Sequence, residues 1–380
     1  MEAHRFHSGL TGYQICNAAG AWEFKEGMEQ GMKRLLLLIV RMVTLLIAIS
    51  IVSFLLVTKA PIDPLTAYIG ANSTISEEAK EEISEYWGLG QPPLERFLAW
   101  AGNTLRGDFG ESIVYRQPVL QVIQERFQYS LALMLAAWIS SGLFGFLLGI
   151  AAAAFQGSIL DKAIKTICLV FQSSPTFWVG LLALSVFAVN LGWFPIGLAA
   201  PMGKLASEVT LGERIHHLIL PSMTLGILGV GKITLYTRQK LLEILNSEFM
   251  LYAKARGEGK WQMIRRHGLK NIAIPAVTVQ FASFSELFGG IALAESVFSY
   301  PGIGSAVTAA GLGGDVPLLL GIAVFSAAFV FIGNLAANIL YGVIDPRIRE
   351  NGSFHKKSNT PQQATGHGLD CSFRSKGRDI

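Results

Sequence analysis

The sequence predicts an all-α polytopic membrane protein with six transmembrane helices. Three observations lead there. Of its 380 residues, 51% are hydrophobic and only 15% charged, against about 25% charged in an ordinary soluble domain. The apolar residues gather into long stretches separated by short, strongly charged ones, the pattern of a chain that crosses a bilayer repeatedly. Those stretches show no alternation of apolar and polar residues, which favours helices over a β-barrel.

Six segments are long enough to cross about 30 Å of hydrocarbon as helices of about 20 residues. They lie near 35–57, 129–155, 167–189, 218–236, 274–298 and 317–341. The first follows Lys33 and Arg34 and carries no small-residue cleavage site, so it reads as a retained span. "MKRLLLLIV" from Met32 reads as a natural start; residues 1–31 are expected to be a disordered extension, and the polar tail 350–380 a disordered cytoplasmic segment. The membrane domain is expected over 32–349, with an external lobe at 58–126 and a long inner loop at 237–273. Cys16, Cys168 and Cys371 lie far apart and imply neither a disulfide framework nor a metal site.

Orientation follows from Lys and Arg. With the N-terminus inside, the inner segments hold about two-thirds of the 31 basic residues and the outer ones about a quarter. The first outer segment also carries Glu77, Glu78, Glu81, Glu82 and Glu85. The positive-inside rule therefore places both termini in the cytoplasm. In that outer segment "STISEEAKEEISEYWGL" reads as a capped amphipathic helix, with Ile75, Ala79, Ile83 and Tyr86 at helical spacing.

"GILGVGKIT", from Gly226, nearly spells a phosphate-binding loop. That loop needs a preceding strand and a Ser or Thr directly after the Lys, where Ile233 stands here. The glycines fall inside the fourth span, where small residues permit close helix packing. Lys232, near the inner boundary, is expected to snorkel. The nucleotide reading is rejected.

The inner loop 237–273 is rich in helix formers, and Gly257 and Gly259 break it into two pieces. The first presents Phe249, Tyr252, Ala253 and Arg256 at helical spacing; the second carries Trp261, Ile264, Arg265 and His267. Such a projection fits either docking into a groove on another protein or contact with anionic lipid.

This loop resembles the coupling motif of permease subunits in binding-protein-dependent ABC importers, peptide/nickel/opine branch. Ala253, Lys254, Ala255, Arg256 and Gly257, then Arg266, His267, Leu269, Lys270, Asn271 and Pro275 fill corresponding positions. Leu251 and Tyr252 stand where the general motif has Glu-Ala, and Lys270 where many importers have Pro. "APIDP", "RGDFGES", "SSPTFWVGLL", "ESVFSYPGIG" and "YGVIDPRIR" extend the resemblance over roughly 32–349.

The resemblance implies a non-catalytic pore subunit of the importer permease fold. It would bind no cofactor itself; ATP and Mg would be used by two ATP-binding partner subunits. A second, related permease chain would complete a heterodimeric pore in the cell membrane of a prokaryote. An extracytoplasmic binding protein would deliver short peptides or nickel and metal chelates. Membrane lipids are the remaining partner, and nucleic acid is not one. Phe249, Tyr252, Ala253, Ala255, Arg256, Gly257, Gly259 and Trp261 are then the coupling residues.

Other candidates come from residue chemistry. Glu286 lies mid-membrane in the fifth span, where a carboxylate is a functional suspect; with Asn334 and Asn338 of the sixth span it is a candidate for the translocation pathway. A protonated Glu286 bonded between helices is the plainer alternative. Glu295, Pro301, Gly302 and Gly304 are placed at the outer mouth, with a bend at Pro301 and a structural role for Glu295 in binding a backbone N–H. His216 and His217 are read as interfacial packing. A gradient-driven carrier or channel acting without an ATPase is the rival function, though buried ionisable pairs and inverted repeats are not evident.

Overall fold

Glycine-for-side-chain exchanges along two long helices set the centre of this fold. The structure, a computed structural model, describes residues 36–56 other than Leu38, 91–205 and 207–344, the last seven as backbone only. The extension 1–31, the acidic helix near 73–89 and the tail 350–380 lie outside the described residues, as does the side chain of Asn338. Residues to Ala337 form one unit; of the second, Asn338–Ile380, only the helical backbone of 338–344 is described.

In chain order the helices are α1 (Ile39–Leu56), α2 (Pro93–Leu105), α3 (Val119–Ala154), α4 (Ile159–Ser173) and α5 (Thr176–Ala183, continued as a π-helical stretch to Asn190). Then come α6 (Leu211–Leu245), α7 (Glu248–Ala255), α8 (Lys260–Met263), α9 (Leu269–Ala282), α10 (Phe284–Val297), α11 (Ile303–Leu312) and α12 (Val316–Ile344). The described residues carry no strand.

Helices α3 and α6, of 36 and 35 residues, are each about 50 Å long at about 1.5 Å per residue. They are therefore longer than the hydrocarbon is thick. Ten residues of α3 precede the expected second span, and α6 takes in the start of the loop expected at 237–273. A capping box starts α6: Thr210 Oγ1 accepts from the N–H of Glu213, whose carboxylate accepts from the N–H of Thr210.

The two helices run in the same direction in close contact. A Cβ built on Gly226 would lie 3.0 Å from the carbonyl of Ala137, and one on Gly229 3.0 Å from Cβ of Ser141. From the other side, Cβ atoms on Gly145 and Gly149 would lie 2.8 and 2.6 Å from Cβ of Ile233 and Thr237. The small residues thus interlock at one-turn spacing, which brings backbones together for van der Waals packing in a medium without hydrophobic drive. Helix α6 is the central element: 56% of its most apolar window is buried, against 6% for α1 at the periphery.

Two expected spans are bent. Residues 167–189 fall on α4 and α5, which meet at 112°. Pro175 follows Ser174, whose φ −93° and ψ 138° are extended; a residue before proline is pushed out of the helical region, and proline offers no N–H to continue the ladder. Residues 274–298 fall on α9 and α10, bent by 47° at Ser283. Among the described residues four helices are long and apolar enough to span alone, or up to six if each bent pair is one span.

Three buried clusters tie the bundle. Leu133, Met134, Leu220, Leu225, Leu287 and Phe298 form the middle one. Val119, Ile123, Ile303 and Leu318 close one end. Ile150, Leu241, Ile264 and Ile272 close the other, where α7 and α8 sit.

Candidate functional site

The chain leaves α6 at Asn246 and turns through Ser247 into α7. Gly257 ends α7 in the left-handed region at φ +84°. The N–H of Glu258 bonds the carbonyl of Ala253 at 3.2 Å and that of Gly257 the carbonyl of Lys254 at 2.9 Å, the two bonds of a Schellman cap. Gly259 then starts α8 with φ −70°, a conformation open to any residue. Both glycines fall in the break between α7 and α8, but the turn depends on Gly257: Gly259 meets no left-handed requirement and has open space around it.

Phe249, Tyr252, Ala255, Arg256 and Trp261 are exposed on this projection, Tyr252 at 75% and Trp261 at 59%. Ala253 is not among them. It is buried with Met250 and Met263 against Ile244 and Leu245, so it belongs to the inner face of α7 rather than to the face expected for it. The reason is that the projection folds back on its own root: Met250 and Ala253, three apart on one helix stripe, are the residues that α8 covers.

Polar contacts hold the projection to the bundle. Lys260 Nζ donates to the carbonyl of Ala154 at the end of α3, satisfying a terminal carbonyl that has no helical partner. Glu258, nearly buried, accepts from Arg256 Nη2 at 3.2 Å and meets His267 Nε2 at 3.0 Å. At the same end Arg238 of α6 clasps the buried Asp161 of α4 with two bonds, Nε to Oδ1 at 2.6 Å and Nη2 to Oδ2 at 2.8 Å. A bidentate pair of this kind fixes orientation as well as distance.

Lys232, expected to snorkel, has a charged partner in the structure. Its Nζ donates to both carboxylate oxygens of Glu286, at 2.8 and 2.9 Å. Both side chains stay exposed, at 46% and 65%. An isolated charge at the bilayer centre costs roughly 2.5–3.5 kcal/mol on insertion scales, which pairing with an opposite charge reduces. Beside Glu286, Ser285 Oγ donates to Asn334 Oδ1 at 2.5 Å, and Asn334 also lines a cleft of about 380 Å³ between α1 and α12 with Met42, Ile49 and Phe331. Glu286 and Asn334 are thus drawn onto neighbouring helices.

The opposite end is closed by buried carboxylates. Glu295 accepts from Ser130 Oγ at 2.5 Å and from the N–H groups of Gly304 and Ser305 at 2.7 and 3.2 Å. It therefore caps the N-terminus of α11, where unpaired N–H groups and the helix dipole favour an anion. Gly302 and Gly304 are required there because a Cβ on either would strike the Glu295 carboxylate or Ala292. The chain turns at Ser299 (φ 48°) and Pro301 to reach them. Asp315, also buried, accepts from Ser112 Oγ at 2.5 Å, from the N–H of Val114 at 3.0 Å and from that of Leu318 at 3.1 Å. His216 and His217 bond separate carbonyls, of Trp193 and Gly197, and do not converge. No three His, Cys, Asp or Glu side chains meet to hold a metal ion among the described residues.

Residues 145–350 match the family described as the binding-protein-dependent transport system inner membrane component. The chain belongs to that family. This permease is 35% identical to the oligopeptide transport system permease protein AppB of Bacillus subtilis (strain 168), over 80% of this chain and 96% of that one. It is 33% identical to the probable peptide ABC transporter permease protein y4tP of Sinorhizobium fredii, over 82% and 97%. It is 31% identical to the di/tripeptide transport system permease protein DppB of Pseudomonas aeruginosa, over 79% and 94%. A solved MetNI methionine ABC transporter in an inward-facing conformation aligns with a TM-score of 0.45 at 16% identity, over 60% of this chain and 97% of that one.

Sequence reasoning singled out neither Asp315, nor the Asp161–Arg238 pair, nor the partnership of Lys232 with Glu286. Asp161, Ser112 and Asp315 lie in ordinary-looking polar stretches, and their partners are 77 to 203 residues away. For Lys232 and Glu286 a signal existed: two opposite charges inside apolar spans of the permease, each costly alone, are cheapest when they meet.

Proposed function

We propose that this permease is the pore subunit of an importer for short peptides, powered by ATP hydrolysis in two separate subunits. One observation carries the reading. Phe249, Tyr252 and Trp261 stand exposed on a braced projection, and aromatic anchors on a rigid support are what a groove in a partner protein takes up. The projection is rooted in the ends of α3 and α6 and in α9, so a force applied to it reaches the helices that pack along the whole bundle. The partner would bind ATP and Mg; this chain would bind neither and would perform no covalent chemistry.

The names of the relatives, oligopeptide, peptide and di/tripeptide permeases, support peptides over nickel or metal chelates. A related, non-identical permease chain would complete the pore, and an extracytoplasmic binding protein would load it. Both termini would lie in the cytoplasm of a prokaryotic cell, with the α7–α8 projection on the same side.

The test is uptake of labelled trialanine into proteoliposomes. With the two ATPases, the second permease chain and the binding protein present, uptake requires ATP and stops when Phe249–Trp261 is deleted. Uptake by this chain alone, without nucleotide, would instead establish the gradient-driven carrier.

A further inference from the structure

Resting on that importer reading, we propose that Lys232 and Glu286 form a binding subsite in the translocation pathway for zwitterionic solutes: Glu286 takes the solute's ammonium group and Lys232 its carboxylate. Four observations converge. Among the charged side chains at membrane depth, Glu295 is buried and spends its carboxylate on α11, whereas Lys232 and Glu286 are exposed and hold each other. The bonds run from one Nζ to both oxygens of one carboxylate, so each partner has a matched counter-charge and neither is committed to backbone. Along α10 the exposed residues are Glu286, Gly289, Leu293 and Ser296, a single helix face that carries two small residues beside the carboxylate. At Gly289 nothing lies within 4 Å of where a Cβ would stand.

The chemistry follows from desolvation. A solute with one ammonium and one carboxylate loses hydration when it enters a narrow pathway. An ion pair that opens to receive it exchanges one set of charge-assisted bonds for two of the same kind, with no change in net charge. A solute of single charge would leave one wall charge unpaired and would be held back. Selection by charge pattern rather than side-chain shape suits a pathway that passes varied sequences. Ser285, next to Glu286 on α10, bonds Asn334 of α12.

The test uses the assembled transporter in proteoliposomes with labelled trialanine as the probe. The variants Glu286→Gln and Lys232→Gln each lower uptake per ATP hydrolysed at least tenfold, and the charge-exchanged double variant K232E/E286K recovers most of it. In a chain with Cys16, Cys168 and Cys371 replaced by alanine, E286C reacts with a water-soluble cationic thiol reagent. Trialanine presented by the binding protein slows that reaction at least threefold. Uptake by both single variants at the wild-type rate overturns the inference while leaving the importer reading intact. So does an E286C that is unreactive, or reactive but unprotected, because the face is then covered by lipid or protein. A loss of uptake matched by a fall in the melting temperature of the complex marks the pair as a brace and overturns it likewise. If the wild-type assembly takes up no trialanine with ATP, the importer reading falls, and this inference with it.

Discussion

The two ends of the helical bundle are built on opposite rules. At the α11 end, Glu295 and Asp315 are fully buried and each accepts backbone N–H groups from the turn it closes. At the α7 end, aromatic side chains are exposed, while the supporting carboxylates Glu258 and Asp161 are nearly buried. A buried carboxylate that accepts three hydrogen bonds makes a surface that keeps one shape. An exposed aromatic cluster on a braced turn makes a surface that is complete only when covered. The difference separates a part of the permease that holds its form from a part whose aromatic surface is left uncovered.

Removing the rigid end's carboxylate is expected to have the largest effect. Glu295→Ala leaves the N–H groups of Gly304 and Ser305 and the hydroxyl of Ser130 without their acceptor. A loss of about 3–5 kcal/mol is expected, because each buried donor left unsatisfied costs about 1–3 kcal/mol, read as a large fall in melting temperature in detergent. Glu295→Gln keeps one acceptor and falls less. If E295A melts like the wild type, that end is not held as described.

The aromatic end should respond in function and not in stability. Tyr252→Ala with Trp261→Ala is expected to cut ATP-driven uptake at least tenfold, since interface anchors are each worth about 2 kcal/mol or more. The melting temperature of the isolated chain should scarcely move, as surface changes usually lie within about 0.5 kcal/mol. Equal losses in both readouts would erase the contrast between the ends.

Between them, Gly149→Ala probes the shared axis. Its new Cβ would stand 2.6 Å from that of Thr237, so α3 and α6 must separate, at about 1–3 kcal/mol. Smaller still is Gly257→Ala, which places a side chain at φ +84° for about 1–2 kcal/mol. Gly259→Ser should be neutral or slightly stabilising, because φ −70° and ψ 156° suit a serine N-cap. Thermal melts of the two glycine variants side by side check that only the first glycine is required.

The sequence made the helical class legible because hydrocarbon forces every span to write its apolar length into consecutive residues. It also marked the glycines of "GILGVGKIT" as packing residues, and in the structure Gly226, Gly229 and Gly231 each abut a neighbouring helix. What it could not mark was partnership. Glu295 reads as binding a nearby backbone N–H, but nothing in the sequence points to Ser130, its other partner on a distant segment. The bend at Ser174–Pro175 was written in the Pro but hidden by the unbroken hydropathy around it. Ala253 was misplaced because helical spacing alone does not tell which stripe of a short helix faces its own root.

The central claim is that the α7–α8 projection is where the motor acts. The most direct measurement places a photo-activated cross-linker at Tyr252 in the assembled transporter and identifies what it captures. The account predicts an ATP-binding subunit, with a yield that changes between nucleotide-free and ATP-bound states. Capture of lipid alone, or no capture in any state, would contradict it.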